Sequence, residues 1–131
     1  MTLVRLVLLI PMLLLSSCDG VAGGGGSVHI APVSIKYGEP AVLRYELSVW
    51  GAGSGKVSNR YTEIKCHYKA EKASAYTILA GTIDSESSDR IVVLFTVPSL
   101  AMSDGAYVEY FFDEKLDGHY NKRDTQRVVL Q

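Results

Sequence analysis

"AVLRYELSV", Ala41 to Val49, alternates apolar and polar residues along its length. Leu43, Tyr45, Leu47 and Val49 fall on one side, and Arg44, Glu46 and Ser48 on the other. Successive side chains of a strand point to opposite faces, so this stretch predicts a strand with one face on a core and the other in water. "EIKCHYK", Glu63 to Lys69, repeats the pattern: Ile64, Cys66 and Tyr68 alternate with Lys65, His67 and Lys69. "RIVVLFTV", Arg90 to Val97, is apolar on both faces, which suits a central strand covered on both sides.

Working outward, seven segments are strand-like: Val28–Tyr37, Ala41–Trp50, Arg60–Lys69, Tyr76–Ile83, Arg90–Val97, Ala106–Lys115 and Gln126–Leu130. Turn-forming residues separate them, among them Gly38-Glu39-Pro40, the stretch 51–59, Ser85 to Asp89, Ser103-Asp104-Gly105 and Asp117-Gly118. "YKAEKASAY" is the only helix-tempting piece, and it is too short to stand alone as one. Short strands with turns every 8–12 residues, in a segment long enough for one hydrophobic core, predict an all-β chain folded as a single β-sandwich.

"YGEPAVLRYELSV", "EIKCHYK", "IVVLFTVP" and "GAYVEYFFD" together resemble the Ig-like and fibronectin-III-like modules of bacterial surface and periplasmic proteins. The resemblance spans residues 28–131. It implies an Ig-like β-sandwich of about seven antiparallel strands that serves as a binding module. The Cys–Trp–Cys core of antibody domains is absent, and Trp50 stands at the end of a strand.

The amino terminus is of a different character. Arg5 is the only charge before Cys18, and Leu6 to Leu15 is an unbroken apolar run. A spanning helix needs about 20 apolar residues, and this run is shorter. A positive start, a short apolar stretch and a small-residue exit describe a secretory signal peptide, residues 1–17. Leu15-Ser16-Ser17-Cys18 resembles the lipobox of bacterial lipoproteins. The resemblance implies alkylation of the Cys18 thiol by a diacylglycerol, cleavage just before Cys18, and acylation of the new amino group. Two or more acyl chains anchor a protein stably where one does not. Asp19 resembles the signal that retains such proteins in the inner membrane. The lipidated Cys18 and the glycine-rich residues through Ser27 then read as a flexible spacer, 18–27, ahead of the folded domain, 28–131.

Without residues 1–17 the chain has 12 basic and 14 acidic side chains, a net charge of −2. That balance offers no basic footprint for nucleic acid. With Cys18 committed to lipid, Cys66 has no partner within the chain, and its place in an alternating strand assigns it to the core rather than to chemistry.

The densest polar cluster is "DEKLDGHYNKRD", Asp113 to Asp124. As a calcium loop it carries Lys115 at a ligand position and lacks the closing Glu, so a hairpin turning at Asp117-Gly118 is the better reading. Asp117, His119, Tyr120 and Asn121 are the candidate binding residues of this segment. "YVEYFFDEKLDGHYN" is distantly similar to starch-type carbohydrate-binding modules, although the tryptophan of their sugar platform is missing. His29, His67 and His119 show no zinc-ligand spacing, and "GAGSG" at 51–55 has no following helix to make it a nucleophile turn.

The sequence therefore leads to a membrane-tethered lipoprotein whose sandwich binds another envelope protein, with no catalytic residues, no metal and no cofactor. Two other readings are a carbohydrate-binding module at the cell surface and a small envelope hydrolase using His119 with Asp113, Asp117 or Asp124.

Overall fold

A computed structural model of the chain describes residues 23–51, 56–103 and 105–131. The signal segment 1–17, Cys18 and Asp19 lie outside them. The strands are β1 (Gly23–Val28), β2 (Ser34–Ile35), β3 (Ala41–Gly51), β4 (Tyr61–Ala70), β5 (Thr77–Ala80), β6 (Thr82–Glu86), β7 (Arg90–Val97), β8 (Tyr107–Leu116), β9 (His119–Lys122) and β10 (Gln126–Leu130). They form two sheets. The smaller has the order β1-β3-β7-β6, and the larger β2-β10-β8-β4-β5, with β9 also on β8. These are the A-B-E-D and G-F-C arrangements of an Ig-like sandwich.

The core lies between the sheets. β3 contributes Leu43, Tyr45 and Leu47, β7 contributes Ile91, Val93, Phe95 and Val97, and β8 contributes Val108, Tyr110 and Phe112. Cys66 of β4 is fully buried among them. Each large apolar side chain so placed contributes about 1.5–3 kcal/mol. Tyr45 and Phe112 stack across the gap with ring centroids 4.2 Å apart and planes within 7°. They occupy the two strands that a disulfide joins in antibody domains, so an aromatic pair holds the sheets together here.

The alternation in Ala41 to Val49 is realised as read: Leu43, Tyr45 and Leu47 are buried, while Arg44 is exposed. β7 is central in its sheet, and Val92 on its outer side is buried as well.

Four expectations are corrected. First, Gly23 to Val28 is not a spacer but the edge strand β1, paired antiparallel with β3 from Gly23↔Gly51 to Val28↔Glu46. Two of its glycines are there for space: a Cβ on Gly25 would run into the Tyr61 hydroxyl and come within 2.9 Å of Leu116, and one on Gly24 would come within 2.9 Å of Trp50. Second, the long first strand reduces to Ser34–Ile35, which runs parallel to β10, so the sandwich is not wholly antiparallel. Pro32, which has no N–H to donate, stands just before it. Third, Tyr76 to Ile83 is two strands, not one. The chain leaves the larger sheet after Ala80 and joins the smaller one at Thr82. Fourth, β9 raises the described strands to ten rather than about seven.

A candidate binding face on the larger sheet

β8 is the organising element. Its inward residues are Val108, Tyr110, Phe112 and Glu114, and its outward residues Tyr107, Glu109, Phe111, Asp113 and Lys115. Directly paired residues share a face, so the register fixes what stands beside the outward set. β4 places Lys65 opposite Asp113, His67 opposite Phe111 and Lys69 opposite Glu109. β9 places Tyr120 opposite Lys115 and Lys122 opposite Asp113, and β10 places Arg127 opposite Glu109.

The outer face of the larger sheet thus gathers five cations, Lys65, Lys69, Lys115, Lys122 and Arg127, against the carboxylates of Glu63, Glu109 and Asp113. Three of the cations lie over aromatic rings. Lys122 Nζ is 4.3 Å from the Phe111 centroid, Arg127 Cζ 4.2 Å from Tyr107, and Lys69 Nζ 5.4 Å from Tyr76. Such pairs are worth about 0.5–1 kcal/mol each at exposed sites. Glu63 sits at a bulge in β4 with a φ of 52°, and its carboxylate reaches Lys115 at 3.0 Å.

At the centre of this face lies a hydrogen-bonded group. Asp113, only 6% exposed, meets His67 Nε2 at 2.9 Å and accepts a hydrogen bond from the Tyr120 hydroxyl at 2.7 Å. The imidazole of His67 stacks on Phe111 at 4.4 Å, and Tyr76 meets the same ring edge-on. The bond to Asp113 holds the Tyr120 hydroxyl above its ordinary pKa, because ionisation would set two negative charges side by side.

Next to Asp113 but facing inward, Glu114 is almost completely buried. It accepts hydrogen bonds from Tyr45 at 2.6 Å and from Arg123 Nη2 at 2.6 Å, while Arg123 Nε donates to the Tyr45 hydroxyl at 3.0 Å. Burial raises the Glu114 carboxyl above the ordinary range, although both partners oppose the shift. Burial likewise raises the Tyr45 hydroxyl, with Glu114 adding to the effect. Arg123 can reach inward because the chain steps aside between β9 and β10, where Arg123 N donates to Phe112 O. A cavity of about 240 Å³ opens beside this group, lined by His29, Phe112 and Asp124 among others. The triangle is closed on itself: each donor of Arg123 and each oxygen of Glu114 named here is engaged, which describes a structural lock rather than an acid–base pair.

The residues singled out between Asp113 and Asp124 do not converge. Asp117 and Gly118, with φ of 51° and 86°, form the tight turn of the β8–β9 hairpin, as the Asp-Gly pair predicts. Asp117 is held by Arg60 through two hydrogen bonds of 3.0 and 2.8 Å, which lower its pKa. The alternation of β9 then separates the rest: Tyr120 joins the outer face, whereas His119 and Asn121 pair with Leu116 and Glu114 on the opposite side. His119 is exposed and lies near Asp117, which Arg60 already holds, and Asp113 is engaged by His67 and Tyr120 instead. Among the described residues no group of three or more His, Cys, Asp or Glu side chains could hold a metal ion.

Sequence reading missed His67, Phe111, Lys122 and Arg127 as one surface. Each comes from a different segment, and only the β4–β8–β9–β10 register assembles them. The alternation of "EIKCHYK" already separated His67 from Cys66 and was the usable signal.

No protein-family model matches the chain, and no curated protein does. Among solved structures it is similar to a β-glucosidase from Listeria innocua in complex with glucose, at a TM-score of 0.55 and 12% identity over 82% of this chain and 16% of that one. A structure of β-glucosidase from the same organism in complex with isofagomine gives a TM-score of 0.46 and 13% identity, with the same coverage. The first likeness shows the fold. The chain spans about 16% of the length of that enzyme, and nothing of the enzyme's chemistry transfers with the fold.

Proposed function

We propose that this chain is a lipid-anchored module of a bacterial envelope that docks an acidic surface of another envelope protein through the outer face of its larger sheet. The anchor is the diacylglyceryl-modified Cys18, left at the amino terminus after removal of residues 1–17. The observation that carries the docking reading is one face that gathers five cations, three of them over aromatic rings, against three carboxylates, in a chain whose net charge is −1. Protein interfaces enrich aromatic side chains and arginine and deplete lysine at their centres, so the aromatic rings and Arg127 supply the contact while the lysines around them steer an acidic partner. A sugar platform needs ring faces open to a pyranose. Here Lys122, Arg127 and Lys69 lie over Phe111, Tyr107 and Tyr76, which favours a protein partner over a polysaccharide.

The test is crosslinking in native envelopes with the anchor intact. The parent chain yields a discrete crosslinked product, and Lys122→Glu with Arg127→Glu loses it while the protein remains folded and membrane-associated. An unchanged product from the double variant contradicts the assignment of this face. Retention of the chain on an envelope polysaccharide, abolished by Tyr120→Ala, would replace the protein-docking reading with sugar binding.

A further inference from the structure

The point where the domain begins relative to Cys18 constrains how it meets the membrane. β1 starts at Gly23, five residues after Cys18. Five residues span at most about 18 Å when fully extended. A folded domain of this size has a radius of gyration of about 13 Å, so the connection is shorter than the domain is wide. With Cys18 held at the lipid headgroups, the domain cannot tumble freely above the bilayer. The end that carries Gly23 faces the membrane.

That end is defined by the register. Gly23 pairs with Gly51 and Gly24 with Trp50, and the same end holds the Asp117-Gly118 turn, since the Tyr61 hydroxyl donates to Ser48 O of β3, Tyr61 pairs with Leu116 and Asp117 N donates to Arg60 O. Beside that end, on the outer face of the smaller sheet, stands Trp50, the only tryptophan of the chain and 58% exposed. The indole lies across β1, over Gly24 and Gly26, on the outer face of the smaller sheet, and more than half of the residue stays exposed. Paired strands run about 5 Å apart, so the Trp50 backbone lies one strand spacing from the start of the domain. Tryptophan, with an apolar body and a polar N–H, is suited to the headgroup layer of a bilayer. The charges near this end, Lys56, Arg60, Glu86, Asp89 and Asp117, hold no cationic excess, so attraction to anionic lipid does not set the orientation.

We infer that Trp50 and the end of the sandwich around it rest on the membrane surface, with the indole in the headgroup region, and that the short connection to Cys18 imposes this. The inference depends on the lipid anchor proposed above. It orients the docking face of the larger sheet roughly along the membrane normal, presented sideways to a neighbour in the same membrane.

Because Trp50 is the sole tryptophan, its fluorescence reports this contact without further labelling. The natively processed chain is reconstituted into vesicles of phosphatidylethanolamine and phosphatidylglycerol, and its intact mass and flotation with the vesicles are recorded first. Quenching is then compared between a nitroxide carried near the headgroup on the lipid and iodide in the water. The expected result is strong quenching by the lipid-borne nitroxide, weak quenching by iodide, and little change as the fraction of anionic lipid is varied. A variant with a long Gly/Ser insertion after Gly20 still floats but loses most of the lipid-borne quenching. A chain that carries the lipid mass and floats, yet is quenched by iodide and not by the nitroxide, overturns the inference and leaves the anchor standing. A chain without the lipid mass that does not float overturns the anchor, and the inference with it.

Discussion

Replacing Arg123 by Met removes the cation from the buried Tyr45–Glu114–Arg123 triangle while keeping most of the side-chain volume. Glu114 is then buried with one neutral donor, Tyr45, in place of a charged pair. Losing one member of a buried pair typically costs about 3–5 kcal/mol. Two features lower that figure here. Arg123 keeps 34% of its side chain exposed, so water already screens the pair. The carboxyl can also escape by binding a proton, which at pH 7 costs about 3.7 kcal/mol from an ordinary Glu value of about 4.3 and so caps the penalty of the stranded charge. We predict a loss of about 2–3 kcal/mol at pH 7. The sign of the pH dependence follows from the direction of the Glu114 shift. Its folded-state pKa is raised, so its contribution is fully present below the ordinary carboxylate value and is lost as pH rises through the folded value. Arg123→Met raises the folded value further, so the penalty grows with pH. Near pH 4 it falls to about 1 kcal/mol, the share of the lost bond to Tyr45. The assay is urea unfolding followed by far-UV circular dichroism at both pH values. Adding Glu114→Gln to Arg123→Met removes the pH dependence of the defect. A loss that is equal at pH 4 and pH 7, or that persists with the same pH dependence in the double variant, refutes the reasoning.

Other outcomes are simpler to read. Gly25→Ala places a Cβ against the Tyr61 hydroxyl and Leu116, and overpacking of this kind costs about 1–3 kcal/mol in the same unfolding assay, whereas a flexible spacer would tolerate the change. Burial, with Asp113 adding, pushes the Cys66 thiol up to about 12, so maleimide labelling at pH 8 is slow in the folded chain and fast in urea. Cys66→Ala costs about 1–2 kcal/mol through the cavity it leaves, and crosslinking to the partner is retained. Arg60→Ala removes both hydrogen bonds to Asp117 and returns that carboxyl toward its ordinary value, which carboxyl NMR titration detects as an upward shift.

The strands legible in the sequence were those whose pattern is local. Ala41 to Val49 and Glu63 to Lys69 show their buried face by alternation, Arg90 to Val97 shows burial on both faces by a continuous apolar run, and β3, β4 and β7 follow these patterns, with a bulge between Thr62 and Lys65. The hairpin at Asp117-Gly118 was legible because that dipeptide suits backbone with positive φ. What composition misreads is Gly23 to Gly26. Four glycines suggest a chain with no preferred shape, yet the requirement comes from elsewhere, from Tyr61, Leu116 and Trp50 lying against β1. The split at Gly81 and the inward turn of Arg123 escape for a related reason. Both depend on where the chain leaves one pairing for another, and a single strand's periodicity does not encode that. The cluster Asp113 to Asp124 looked like one site because its residues are close in sequence. A strand distributes neighbours to opposite faces, so Asp113 and Glu114 serve different surfaces, and Tyr120 parts from His119 and Asn121.

The anchor is the claim on which membrane attachment, docking and orientation all depend, and the mass of the mature amino-terminal peptide tests it directly. The account predicts a peptide that begins at Cys18 and carries at least a diacylglyceryl group, and a Cys18→Ser chain that stays uncleaved because a hydroxyl is a far poorer nucleophile than a thiolate toward the lipid donor. An unmodified terminus at Asp19, Val21 or Gly23 would contradict it.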